Sequence, residues 1–182
     1  MFKQVAFGSV VALAFLEASA QMPVPVMDGV QVAQAAPAAQ AQAAPDVARQ
    51  LEALLSCKPG TNFTGKDVAV QFQALGLVQS KGDKTIFLPQ GKVVIFDDEI
   101  VAASVNDGGQ KMIAVYLKNR TGKEMAKKFG VTKINESADT DEPSYIKQIS
   151  KKVTLLVSSA SELFVGNDLT LKYKSAVACQ MR

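Results

Sequence analysis

Thr64–Phe72 reads T-G-K-D-V-A-V-Q-F, and Thr121–Phe129 reads T-G-K-E-M-A-K-K-F. The two stretches lie 57 residues apart and are identical at five of nine positions. Asp67 and Glu124 keep the acid, and Val68 and Met125 keep the apolar character. Similarity at a fixed offset is the mark of an internal duplication. Each copy opens on a helix start. A threonine three residues before an acid fits a capping box, in which the hydroxyl accepts from the N3 amide and the N3 side chain reaches back. Glu124 suits that role better than the shorter Asp67. Either acid also opposes the positive end of the helix dipole. Apolar residues follow at helical spacing, Val68, Phe72 and Leu75 in one copy, Met125 and Phe129 in the other. Gly76 and Gly130 stand where a left-handed C-terminal cap belongs. A phosphate-binding loop needs an earlier glycine and a Lys-Ser/Thr pair; neither copy has them.

Outward from the first copy, Thr85–Leu88, Val93–Phe96, Ile100–Val105 and Met112–Leu117 read as strands. Asn106-Asp107-Gly108-Gly109 is a hairpin turn, because these residues accept positive φ. The second copy offers a helix at 121–130, a strand at Thr132–Asn135, an acidic loop over 137–144, and strands at Tyr145–Ile149, Val153–Val157 and Leu169–Lys174. Met112, Ala114 and Tyr116 match Leu169, Leu171 and Tyr173 at the same offset, so these faces are expected to meet the helices. Ile113, Val115 and Leu117 break the alternation. Either that strand is covered on both sides or the three residues form an apolar patch for a partner.

The expected fold is α+β: two tandem repeats, about 58–119 and 120–179, each a short helix followed by three to four antiparallel strands, with the helices on one face of the sheet. This layout resembles, in outline only, that of bacterial inhibitor proteins that lay a concave sheet over an exported enzyme; no motif of this chain carries the resemblance further.

The chain has 182 residues and a formal charge of +3. Lys3, the apolar run Val5–Leu16 and the small-x-small site Ala18-Ser19-Ala20 read as a secretory signal over residues 1–20. That run is too short to span a bilayer. Residues 21–45 are rich in Ala, Gln and Pro and read as a disordered linker. Residues 46–182 form one domain, with a periplasmic or secreted destination. In an oxidising compartment Cys57 and Cys179 are expected to pair.

The chain has no histidine, so the commonest acid–base residue and metal ligand is missing. No catalytic residue, cofactor site or metal site is assigned. The mild charge gives no case for nucleic acid. The candidate partner-binding residues are Asp97, Asp98 and Glu99, Ile113, Val115 and Leu117, and Asp139, Asp141 and Glu142. Acidic loops would steer association with a basic protein surface. The leading expectation is an exported protein-binding module of inhibitor or immunity type. An envelope-assembly or surface-attachment protein is the alternative, and a carboxylate-based hydrolase comes third. The hydrolase requires the acids at 97–99 to converge with another acid in a cleft.

Overall fold

A computed structural model describes residues 38–134 and 143–182, with side chains from residue 45 onward. The expected signal, most of the expected linker and the acidic loop bearing Asp139, Asp141 and Glu142 lie outside the described residues. The chain is α+β, with three described helices and mainly antiparallel strands.

Helix α1 covers Ala38–Leu55, so it begins inside the stretch expected to be linker. Alanine is the strongest helix former, and alanines and glutamines lead up to Pro45. Helix α2 is Gly65–Ala74 and helix α3 is Gly122–Lys128. Thr64 caps α2, its hydroxyl accepting from the Asp67 amide at 3.1 Å. Thr121 and Glu124 complete a full capping box on α3. Asp67 instead accepts from the Thr64 hydroxyl at 2.7 Å, as its shorter side chain suggests. Gly76 (φ 82°) and Gly130 (φ 60°) leave the helices in the left-handed region, where a Cβ is disfavoured.

The strands are β1 (Leu77–Gln79), β2 (Ile86–Pro89), β3 (Val94–Ile95), β4 (Asp98–Asn106), β5 (Lys111–Leu117), β6 (Tyr145–Gln148), β7 (Val153–Ser158), β8 (Ser161–Val165), β9 (Leu169–Tyr173) and β10 (Ser175–Met181). Seven of them run in the order β1-β2-β4-β5-β10-β7-β6, and β3 joins the same sheet through β4. The two halves of the chain meet at β5 and β10, which pair antiparallel from Ser175↔Leu117 to Met181↔Lys111. Strands β8 and β9 form a separate hairpin.

One face of the sheet is closed by the main core. Leu51 and Leu55 of α1, Val68 and Phe72 of α2, and Met125 of α3 cluster with Ile113, Val115, Leu117, Leu155, Val157 and Val177. Ile113, Val115 and Leu117 are therefore buried beneath the helices, each with no exposed surface. They leave the list of candidate surface residues. The expected helix-facing set, Met112, Ala114 and Tyr116, points the other way. Strand side chains alternate, so choosing the wrong phase inverts both faces at once.

The correspondence of β5 with Leu169–Lys174 also fails. The strand beside β5 is β10, and Leu169–Tyr173 belongs to the separate hairpin. A β-bulge between Ile100 and Ala102 resets β4, so Ile100, Ala103 and Val105 all reach the main core. On the far edge the expected strand at 132–135 is reduced, among described residues, to a bridge between Ile134 and Tyr145.

Candidate protein-binding face

The second face of the sheet is divided between the two halves of the chain. Over the first half lies the β8–β9 hairpin. Leu163, Val165 and Leu171 pack with Ile86 and Leu88 of β2, Ala102 of β4 and Tyr116 of β5. The rings of Tyr116 and Tyr173 meet edge to face at 5.0 Å. Burial pushes the Tyr116 hydroxyl above its ordinary pKa, and its hydrogen bond with Ser104 acts in the opposite direction. At the hairpin tip Gly166 adopts φ 65°, and a Cβ there would sit 3.0 Å from the Gly82 Cα. Backbone thus meets backbone, which only glycines permit.

Over the second half, register identifies the outward residues of β10, β7 and β6. Ala178 stands between Ala114 and Leu156, and Leu156 opposes Ile146. Gln180 stands between Met112 and Thr154, and Thr154 opposes Gln148. Ala176 stands between Tyr116 and Ser158. None of these side chains is charged. Leu156, Ile146 and Met112 are half-buried and belong to neither buried cluster. The result is an aliphatic stripe on an alanine floor, bordered by uncharged polar groups. On the hairpin Phe164 is 68% exposed, on the side opposite Leu163 and Val165.

The acidic residues at 97–99 part company. Phe96 (φ 57°) and Asp97 (φ 61°) form the two-residue turn between β3 and β4. The Phe96 amide donates to Glu52 at 2.6 Å, its carbonyl accepts from Lys128 at 2.9 Å, and its ring packs edge-on against Phe129 at 5.0 Å. These contacts hold a phenylalanine where glycine or asparagine is usual. Asp97 projects outward, 81% exposed, with Lys128 at 3.0 Å and Arg120 at 3.9 Å. The hydrogen bond and charge of Lys128 hold its carboxyl below the usual carboxylate range.

Asp98 is buried. It accepts from the Asn119 side chain at 2.6 Å, the Arg120 amide at 2.7 Å and the Asn119 amide at 3.2 Å. Glu99 pairs with Lys118 at 2.8 Å. The three acids thus go to three separate sets of donors, and Asp98 serves the fold rather than the surface. Cys57 and Cys179 form a disulfide between the end of α1 and β10.

Among the described residues no cluster of three or more His, Cys, Asp or Glu side chains has the arrangement of a metal site. No described helix is long and apolar enough to cross a membrane. Sequence reading missed the uncharged face because β8 and β10 were not recognised as strands. The available signal was the alternation in Val153–Ser158, whose outward positions Thr154, Leu156 and Ser158 carry no charge. Comparison with known protein families, with curated proteins and with solved structures finds no match to this chain.

Proposed function

We propose that the chain is an exported module that binds another protein through the open face of β10, β7 and β6, with Phe164 of the adjoining hairpin as an anchor. The observation that carries this reading is the absence of charge from the described residues of that face between Ser158 and Thr154; the cations Lys152 and Arg182 stand beyond its end. A solvated sheet face normally alternates with charged residues, and one-fifth of this chain is Asp, Glu, Lys or Arg. Interface centres are depleted of charge and enriched in aromatic side chains. The disulfide supports an oxidising compartment. An inhibitor or immunity-type role, in which the partner is an exported enzyme, suits a broad sheet face that presents, among the described residues, no convergent carboxylates of its own.

The proposal includes a duplicated origin for the two halves. Gly65 and Gly122, the glycines of the repeated T-G-K, each lie against the residue that follows a long strand. A Cβ on Gly65 would meet Asp107 at 2.9 Å, and one on Gly122 would meet the Ser159 Cα at 2.8 Å. The β8–β9 hairpin is then an insertion in the second half only, and it breaks the correspondence.

Introducing a charge tests the binding face. Leu156→Lys and Ile146→Lys should leave the fold intact, as judged by circular dichroism and melting, and should each abolish stoichiometric capture of the partner. Val70→Lys, on the exposed side of α2, should leave capture unchanged. Loss of the partner's enzymatic activity on binding supports the inhibitor role. Retention of envelope components supports the attachment role instead. Equal capture by all three variants would remove this face from consideration.

A further inference from the structure

A cavity of about 440 Å³ opens at the end of the sheet where β5 begins and β10 ends. Lys111, Val153 and Met181 are register partners and share the side of the sheet that carries the helices. Val153 and Met181 form an apolar floor. Three cationic residues border it, Lys111, Lys152 and Arg182, with Asn62 and the turn glycines Gly108 and Gly109 completing the rim.

The convergence is enforced by the backbone. The Arg182 amide donates to the Lys152 carbonyl at 2.9 Å, which brings two cationic residues from distant parts of the chain together. Lys111 is steered by a 3.5 Å hydrogen bond to the Phe63 carbonyl and by Asp107 at 3.7 Å. Asp107 is itself committed to the Gly65 amide at 2.9 Å. Among the described residues no Asp or Glu side chain pairs with Lys152 or Arg182. A second cavity, under the β8–β9 hairpin, differs in this respect. There Lys118 is paired with Glu99 at 2.8 Å and Lys172 with Glu162 at 3.5 Å, which leaves Lys174 as the one cation of that lining without an Asp or Glu partner among the described residues. At Gly109 the space that a Cβ would enter is empty, so a ligand can approach the backbone of the turn.

We infer that this cavity is a binding site for a small oxyanion, a phosphate or a carboxylate. Several cations around one hollow focus a positive potential on a single point, and charge-assisted hydrogen bonds from Lys and Arg to such oxygens are the strong ones. A nucleic acid would call for a stripe of cations rather than a hollow. The apolar floor leaves room for an anion carrying a short hydrocarbon part, so a dicarboxylate is tested beside inorganic phosphate.

The test is a titration of the ¹⁵N-labelled, oxidised protein with sodium phosphate and, in parallel, with sodium succinate, at ionic strength held constant with sodium chloride. Saturable shifts of the Gly108, Gly109 and Arg182 amides are expected with at least one of the two anions. Lys152→Gln and Arg182→Gln together should weaken binding by tenfold or more, about the effect of losing charged hydrogen-bond donors. Lys172→Gln, in the second cavity, should leave binding unchanged. Shifts that grow linearly for both anions, or affinity that is unchanged in the double variant, would overturn the assignment.

Discussion

At the scale of single residues, the position that the sequence most misrepresents is Asp98. Three acids in a row between apolar runs look like a solvated step. The structure turns the middle one inward, 3% exposed, to bind the backbone and side chain of the segment that leads into α3. Asp98→Ala would strand several buried donors and should cost about 3 kcal/mol or more in equilibrium unfolding. Asp98→Asn, which keeps one acceptor oxygen, should cost roughly half as much. Glu124 shows a different sensitivity. Its carboxyl is held below its usual value of 4.5 by the amide and hydroxyl of Thr121. A depressed folded pKa means stabilisation that is complete above the unfolded pKa and disappears as pH falls through the folded one. Glu124→Gln should therefore be less stable than the parent at pH 7, and the gap should close at acid pH, when stability is compared at pH 7 and pH 3. The capping box was legible in the sequence because it is local, with donor and acceptor three residues apart. The partners of Asp98 lie more than twenty residues away, in a segment that no local pattern connects to it.

At the scale of elements, the β8–β9 hairpin decides which part of the sheet stays open. It is seated by the contact between Gly166 and Gly82. Gly166→Ala adds a Cβ at positive φ and against backbone, so it should cost about 2–3 kcal/mol. Gly76→Ala, also at positive φ but with nothing within 4 Å, should cost only about 1 kcal/mol. Equal denaturation midpoints for the two variants would mean that the hairpin is not held by this contact. The hairpin was hard to read because Ser161-Glu162-Leu163-Phe164-Val165 lacks the β-branched run that marked β7. β10 was hidden for a related reason. Ser175–Met181 is rich in small residues and lies at the centre of the sheet, where tertiary packing outweighs strand propensity. Phe96-Asp97 likewise lacks the glycine or asparagine that announces a tight turn.

At the scale of the whole molecule, the disulfide ties the C-terminal end of α1 to a central strand across 122 residues. Closing so long a loop in the unfolded chain is worth about 4–5 kcal/mol by loop-entropy reasoning. Cys57→Ser should lower the melting temperature to that of the reduced parent; no change on reduction or substitution would show that the bond contributes nothing to stability. The pairing was legible from two cysteines flanking one domain. The sequence by itself determined the helix starts, the glycine exits, the β-rich remainder and the pair of cysteines. Each of these follows from local chemistry: a capping side chain, a positive φ, an alternation, an even thiol count. Tertiary structure alone decided that β5 meets β10, which face of β5 turns to the helices, and that the β8–β9 hairpin covers one half of the second face. Those outcomes depend on contacts between residues far apart in the chain. A strand's two faces exchange roles with a shift of one residue, so only packing against distant partners selects between them.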